Sequence, residues 1–359
     1  NPLQRFLSYF CVLGFAALVS GIRTGEIAAP LYLVQSMLFL SVGLLPGALR
    51  LKRRDCHFIA AAFLTLYVIK ISMTNLAFGD ATSNYDATTS FAFNIAGRSV
   101  RRAAILNFHA NAFALLATLM TLYSLYLFLA TSRRLFLIIH ALLVAISAHI
   151  ILLTFSRSGF IAFAAATALG FIAIQYKRST KLTGLLTAVG VFAGMIILVT
   201  DQTLISYFLD ERIAQFATSA SGNPRVEFAI YATRDWAAAG YMVWFLGGGF
   251  MHYYTDSTWP AILVNLGLTG VIVSCVGILS LMRSIRSSWR ISRDIAMVLI
   301  AVFVSMFIYG FSTEFWAVRK VLVSASLLFG LAYHDIHLLA RAKATPPIRK
   351  RSPQIFLKG

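Results

Sequence analysis

Charge is scarce in this sequence, and acidic charge is scarcer than basic charge. Only 12% of the 359 residues are charged, with 13 acidic against 31 basic side chains, while 59% are hydrophobic and the mean hydropathy is +0.78. A soluble globular domain carries about 25% charged residues, so that class is excluded. Apolar runs long enough for about 30 Å of hydrocarbon, which takes about 20 residues, indicate a polytopic membrane protein instead.

Cysteine and metal-ligand patterns are equally scarce. Cys11, Cys56 and Cys275 all fall in apolar runs, and they are an odd number that makes no disulfide or metal pattern. No grouping of His, Cys, Asp and Glu has the spacing of a metal site. The chain also has no segment typical of a nucleotide-binding domain. We therefore expect no metal and no cofactor.

Ten apolar runs predict an all-α, polytopic integral membrane protein of about ten transmembrane helices, with a long outer loop that carries short amphipathic helices. The first seven helices belong to residues 1–200, the loop to 201–258, the last three helices to 259–335 and a basic inner tail to 336–359. The first span is expected to act as the membrane anchor. The predicted spans are 6–21, 28–49, 56–78, 104–130, 135–154, 160–176, 182–200, 259–282, 295–313 and 321–335.

The distribution of charge supports this topology. With the N-terminus inside, about two thirds of the Lys and Arg residues fall in inner segments, whereas the acidic residues fall outside except for Asp55, Asp294 and Asp335. This is the positive-inside pattern. The net charge of +18 thus lies in short loops between spans, where it sets orientation, and we predict no nucleic-acid partner.

The basic residues on the outer side are almost all arginine, with Lys320 as the exception. Arg holds a phosphate or carboxylate through a planar fork of donors that Lys lacks. An Arg-rich outer face next to lipid therefore indicates an anionic, phosphorylated substrate. The alternative is that these side chains pair with the outer acids or with lipid headgroups.

Two outer segments present arginine directly before a span. Residues 79–103 end in Arg98, Arg101 and Arg102, and the short turn 156–159 between two spans carries Arg157. A charge in such a tight turn is costly unless it faces water, a partner or a cavity. We therefore predict a functional role for Arg157, with a structural pair to an outer acid as the alternative.

The long loop 201–258 carries the other candidates. Its first part predicts an amphipathic helix at the membrane interface over 205–216. A second helix is predicted from about Pro224 to Phe245, with Glu227 in its first turn. Arg, Glu and Asp side chains are therefore concentrated at one membrane face.

A glycine run and two candidate bases follow that second helix. The run 247–249 could offer backbone N–H groups to an anion, or could be a flexible turn. Asp256 lies at the mouth of a span, where a carboxylate could accept a proton from a sugar hydroxyl. Its alternative role is to cap the helix that follows. His252 is the other candidate base.

Together these motifs resemble the O-antigen ligase and polymerase superfamily. The sequence FSRSGFIAF over 155–163 resembles its serine–arginine turn, and 101–114 looks like its arginine followed by an Asn-containing helix start. The segment from Arg225 to the glycine run resembles its Arg-to-Gly-turn segment, and 256–270 resembles the span that follows. Ligases of this superfamily typically carry His where Asp256 stands, so the resemblance favours a repeat-unit polymerase.

The resemblance implies a metal-independent glycosyltransferase, multi-pass in the bacterial inner membrane, with its active site facing the periplasm. The donor would be an oligosaccharide on a polyprenyl diphosphate, and the product an O-antigen, capsule or exopolysaccharide. Membrane lipid and a chain-length regulator protein are the other implied partners. Asp256 or His252 would act as base, and Glu227 would orient Arg225 or the sugar. The implied diphosphate-binding residues are Arg157, Arg225, Arg98, Arg101 and Arg102.

Three other functions stay open. An O-antigen ligase would transfer the finished glycan to lipid A core or to a protein with the same chemistry. A transporter of lipid-linked sugars would need polar residues along several span interiors and internal repeats. Charge within the spans is nearly limited to Lys70, and no repeat is evident. An assembly scaffold would not need Arg157 in a tight turn.

Overall fold

The computed structural model describes most of the chain between residues 38 and 344. Within that part the chain is helical apart from one short antiparallel hairpin, in which Ala92 pairs with Arg101 and Ile95 with Arg98. The described residues are 38–72, 92–95, 98–101, 110–154, 156–177, 224–248, 258–310 and 319–344, with scattered helical positions between 5 and 22.

The helices and strands have the following order and bounds along the chain. After a 3-10 turn at Val42–Leu44, the elements are α1 (Leu45–Ala48), α2 (Arg53–Ser72), β1 (Ala92–Ile95), β2 (Arg98–Arg101), α3 (Ala110–Thr131), α4 (Arg134–Thr154), α5 (Arg157–Lys177), α6 (Pro224–Ala238), α7 (Tyr241–Leu246), α8 (Thr258–Ile291), α9 (Arg293–Tyr309) and α10 (Arg319–Ala344).

Five of the described helices, α3, α4, α5, α8 and α10, are long and apolar enough to cross a membrane. Each coincides with a predicted span, so the chain is a multi-pass helical membrane protein. The count of ten spans stays a prediction. The helices α2 and α9, in the predicted spans 56–78 and 295–313, are not among these five, and 182–200 and most of 6–21 and 28–49 lie outside the described residues. The helix that contains the last predicted span, 321–335, is longer than that span, since α10 continues to Ala344.

The centre of the structure is α3, which is buried along almost its whole length. A helix that is apolar on every side is stable only when other helices surround it, and α2, α4, α5, α9 and α10 all pack against α3. Its large side chains include Phe113, Tyr123 and Tyr126, which are fully buried. Tyr123 satisfies its hydroxyl group by donating to the carbonyl oxygen of Ser324 in α10 at 2.8 Å.

The helices α3 and α5 run parallel, side by side. A β-carbon added at Gly170 would lie 3.1 Å from Leu125 Cδ2, and one added at Gly159 would collide with Cβ of Ala114. The contacts occur in the same order along both helices, which shows that the two helices run in the same direction. Since α4 connects α3 to α5 and packs against α3, it must run in the opposite direction. Both α3 and α5 therefore begin at one end of the bundle, which we call the Arg157 end.

The same end holds the start of α8 and the end of α9. The N–H of Thr258 donates to the carbonyl oxygen of Gly310 at 2.8 Å, directly after α9. At the opposite end, Tyr176 near the end of α5 contacts Trp289 near the end of α8, with ring centroids 5.8 Å apart. We call this opposite end the Asp335 end, after the buried carboxylate that lies toward it.

The α8 helix is broken at Gly267, where φ is 65° and ψ is −166°. The chain from this break to Ile291 is about 36 Å long at 1.5 Å per residue, whereas the 17 residues of α9 span only about 25 Å. Both ends of α8 nevertheless lie beside the ends of α9. The break accounts for the difference in length between α8 and α9, because it lets the first turns of α8 change direction and reach Gly310.

The segment predicted as one helix from Pro224 to Phe245 forms two helices, so that prediction is wrong in detail. The chain turns at Gly240, whose φ of 91° suits glycine and not a helix interior. Two indole N–H groups hold α6 and α7 together: Trp236 donates to the carbonyl oxygen of Val243 at 3.0 Å, and Trp244 donates to that of Ala237 at 2.9 Å. The helix predicted over 205–216 lies outside the described residues.

Candidate functional site

The turn before α5 has a geometry set by its serine and glycine. Ser156 is buried and acts as the helix N-cap, since its Oγ accepts the N–H of Gly159 at 3.1 Å. Its own N–H donates to Oγ1 of Thr154 at the end of α4, at 3.3 Å. Arg157 is therefore the first residue of α5, held between two anchored helix ends.

Gly159 is required at this turn by packing. Any side chain there would collide with Cβ of Ala114 in α3 and crowd Oγ of Ser156. Close approach of the two backbones places the first turn of α5 directly beside the first described turns of α3. The serine, arginine and glycine of this motif thus have separate roles: cap, charge and close packing.

The Arg157 end combines a fixed positive charge with helix ends of both kinds. The N-terminal ends of α3 and α5 each carry about half a positive charge, while the C-terminal end of α4, next to Arg157, carries about half a negative charge. Arg157 adds a full charge at the same end and is partly buried. Fixed positive charge in a partly desolvated place of this kind favours an anion such as a diphosphate.

The start of α8 is anchored at this end as well. Thr258 is fully buried and bound to Gly310 through its N–H. Trp259 donates its indole N–H to the carbonyl oxygen of Phe307 at 3.3 Å, and the two rings lie 4.8 Å apart. These contacts hold the chain two residues after Asp256. Asp256 itself and His252 lie outside the described residues.

Arg225 and Glu227 both belong to the first turn of α6, and the Glu227 side chain is exposed. The structure does not describe the side chain of Arg225, so the role of Glu227 in orienting Arg225 or the sugar stays a prediction.

Arg98 and Arg101 are the first and last residues of β2. The structure describes the backbone of these two residues and not their side chains, so their role in binding a diphosphate stays a prediction. Arg102, the third arginine predicted here, lies outside the described residues.

The glycine run after α7 has a structural task that sequence reasoning missed. Gly247 donates its N–H to the carbonyl oxygen of Val243 at 2.7 Å, and Gly248 donates to that of Val264 at 2.9 Å. These two N–H groups are thus committed to backbone partners, which disfavours the predicted anion-binding role for them. Gly248 instead satisfies a carbonyl group next to the break in α8, where regular helix bonding is interrupted.

The break in α8 and the turn after α7 fit together through two glycines. A β-carbon added at Gly267 would lie 2.6 Å from the backbone N of Gly247 and from backbone atoms of Phe245. Both glycines have positive φ, 78° at Gly247 and 65° at Gly267. An isolated glycine in an apolar helical run was the only sequence signal for this break.

A second polar cluster, also missed from the sequence, lies toward the Asp335 end. Asp335 is fully buried in α10 and accepts hydrogen bonds from Arg53 Nε at 2.6 Å and Tyr126 at 3.4 Å, with His57 Nε2 at 3.2 Å. Arg53 also donates to the carbonyl oxygen of Ala130 at 3.2 Å. This cluster joins α2, α3 and α10, and it is separate from the Arg157 end.

Comparison with known proteins adds no assignment. No protein-family model matches the chain, and no curated protein is significantly similar to it. The functional argument therefore rests on the chemistry of the residues and on the geometry of the Arg157 end.

Proposed function

We propose that the protein is a membrane glycosyltransferase that polymerises oligosaccharide repeat units linked to a polyprenyl diphosphate. The observation that carries the proposal is the parallel pairing of α3 and α5, with Arg157 as the first residue of α5. This arrangement suits a lipid-linked anion, because the positive ends of two membrane helices and one arginine lie together.

The reaction breaks the bond between the sugar anomeric carbon and the diphosphate oxygen. A hydroxyl group of the acceptor sugar forms the new glycosidic bond and gives up its proton, while the diphosphate leaves with the bonding electron pair. Negative charge thus develops on the diphosphate in the transition state. Arg157 stabilises that charge, with Arg225 as its proposed partner; such a fixed donor contributes about 2–4 kcal/mol to lowering the barrier.

Asp256 is the proposed base, with His252 as the alternative. The contacts of Thr258 and Trp259 with the end of α9 support this role, because they fix the chain just after Asp256. A base must lie within hydrogen-bond reach of the proton that it removes, and an anchored chain meets that demand better than a free loop. Glu227 binds the sugar in this proposal.

The α7 helix supports a site at the level of the lipid headgroups. Its residues Tyr241, Met242, Trp244 and Phe245 are exposed although they are apolar or aromatic. Such residues are stable at a membrane interface, where an apolar ring and a polar edge are both satisfied. Since α7 docks on the broken part of α8, the segment leading to Asp256 starts at that interface, which is where a lipid-linked diphosphate resides.

The test is reconstitution of the full chain in liposomes with a lipid-linked oligosaccharide, without nucleotide sugar and without added metal. A ladder of repeats on a gel, lost in Arg157→Ala and kept in Arg133→Ala at the opposite end of the bundle, supports the proposal. Activity retained in both Arg157→Ala and Arg225→Ala would overturn the assignment of the diphosphate site.

Two other outcomes would replace the polymerase. A single transfer that needs added lipid A core would indicate a ligase, which shares the donor and the leaving group. Movement of the lipid-linked sugar between leaflets without any transfer would indicate a transporter, with the arginines serving in binding alone.

A further inference from the structure

We propose that one face of α8, continued by the neighbouring ends of α9 and α10, binds an anionic phospholipid at the Asp335 end. Five exposed basic residues form what we call the α8–α10 basic cluster. They are Arg283, Arg286 and Arg290 of α8, Arg293 of α9 and Lys343 of α10. The inference is independent of the reaction proposed above.

The three arginines of α8 lie on one face of the helix. Arg283, Arg286 and Arg290 are separated by three and four positions, which places them one above the other. Arg293 follows directly after the turn between α8 and α9. Lys343 is held at the same turn, because its Nζ donates to the carbonyl oxygen of Ile291 at 3.3 Å.

Within the described part of the chain, the carboxylates next to this cluster do not balance its charge. Asp294 is the acidic residue beside it, and its Oδ1 accepts the hydroxyl group of Ser292 at 2.5 Å. Five cations against one carboxylate leave a surplus of positive charge whichever group Asp294 pairs with. The basic residues at the start of α2 differ, because Asp55 and Asp335 lie among them.

The same face of α8 is apolar and exposed above the arginines. Ile272, Val276 and Leu279 continue the spacing of three and four positions, and they are 61%, 40% and 54% exposed. An exposed apolar stripe within a membrane span faces acyl chains. One face of α8 thus has an apolar stripe that can contact acyl chains, followed by arginines that can contact a headgroup. The two parts have the same order as the acyl chains and the anionic headgroup of a phospholipid.

An aromatic pair marks the level of the interface. Trp289 contacts Tyr176, and Trp289 directly precedes Arg290. Tryptophan and tyrosine are enriched where hydrocarbon meets headgroups, and basic residues at this level attract anionic lipids. A soluble acidic partner would have no use for the apolar stripe, so we assign the surface to a phospholipid with an anionic headgroup.

The test uses the full chain purified in detergent and mixed with cardiolipin, phosphatidylglycerol or phosphatidylcholine, with retained lipid counted by native mass spectrometry. The site variant is Arg283→Gln with Arg286→Gln and Arg290→Gln. The matched control is Lys52→Gln with Arg54→Gln and Arg133→Gln, which removes the same charge from other exposed positions at the same end.

We expect the wild type and the control to retain cardiolipin in preference to phosphatidylcholine, and the site variant to lose that preference by about tenfold or more. An equal loss in both variants, or no loss in either, would overturn the site. A second arm adds inorganic pyrophosphate: displacement of cardiolipin at equal concentration would show a soluble phosphate site instead of a lipid site. The single variant Arg290→Gln, expected to show a smaller loss in the same direction, covers the case in which the triple variant fails to fold.

Discussion

Arg53 donates through Nε to the fully buried carboxylate of Asp335 at 2.6 Å, and so ties the start of α2 to α10. The carboxylate also interacts with His57 and Tyr126, so its charge is compensated from two helices besides its own. A buried carboxylate needs such compensation, because removing it from water costs several kcal/mol. The pair therefore has a structural role at the Asp335 end, which is independent of the chemistry proposed at the Arg157 end.

Breaking this pair from one side is predicted to be costly. Arg53→Met leaves Asp335 buried without its cation, and we expect a loss of about 3–5 kcal/mol in the free energy of unfolding. Arg53→Met combined with Asp335→Leu leaves no buried charge and is expected to recover most of that loss. Thermal unfolding of the purified protein in detergent measures both. Arg54→Met, at the exposed neighbouring position, is the control and should be close to wild type. Equal stability of the single and double variants would contradict the prediction.

Replacing Gly267 is predicted to undock α7 from α8. A side chain there would adopt a positive φ and meet the backbone of Phe245 and Gly247. Strain of this type costs about 1–3 kcal/mol, before the loss of the contact itself is counted. We expect Gly267→Ala to increase the accessibility of α7, measured as faster labelling by a water-soluble maleimide of Leu246→Cys, a partly buried position of α7, in a background with Cys11, Cys56 and Cys275 replaced by serine. Gly170→Ala, where only a leucine side chain must shift, is the matched control, and similar labelling rates in the two would count against the docked arrangement.

The close approach of α3 and α5 is predicted to matter more for activity than for folding. Gly159→Ala forces the first turns of the two helices apart, because the new methyl group meets Ala114. If the two positive helix ends act together on the diphosphate, transfer should fall at least about tenfold, since a small displacement at a reacting site is already costly. Initial rates in liposomes and the unfolding midpoint should be measured on the same preparation. A fall in rate that merely follows a fall in folded protein would remove the argument for a functional pair of helix ends.

Arg157→Ala is predicted to slow transfer by about two to three orders of magnitude, which corresponds to about 2.7–4 kcal/mol of lost transition-state stabilisation. Arg157→Lys keeps the charge but loses the planar fork, so it should recover only part of the rate. Single-turnover rates on lipid-linked donor separate this effect from weaker donor binding. Equal rates in the Ala and Lys variants would show that charge at this position does not stabilise the leaving group.

Much of the fold could be predicted from local properties of the chain. The bounds of α4 and α5 and the end of α3 agree with the predicted spans within a few residues, because the length of an apolar run can be counted in the sequence; the predicted start at 104 lies outside the described residues. The sequence does not show that α10 continues past the predicted span 321–335, because Arg341 and Lys343 look like a solvated tail although they belong to the last turns of the helix. The position of a helix end depends on its hydrogen bonds and on the helices packed against it, and neither can be inferred from composition.

The candidate site was predicted less completely. The tight turn predicts a role for Arg157, yet the roles of Ser156 and Gly159 follow only from their contacts with α4 and α3. The glycine run indicates an anion site, whereas the N–H groups of Gly247 and Gly248 bond to the backbone. The sequence shows which charges and hydrogen-bonding groups a residue offers. The partners that these groups bind are often distant in sequence, so only the structure shows them.

By itself, the sequence determined that this is a multi-pass helical membrane protein, because the length and hydropathy of each apolar run act locally. The tertiary structure alone decided that α3 and α5 lie parallel in contact, that α8 breaks at Gly267 to receive the turn after α7, and that Asp335 is paired with Arg53. Each of these depends on two segments far apart in the chain meeting at atomic distance. Packing and hydrogen bonding across such a gap are set by the whole fold, so no local pattern could specify them.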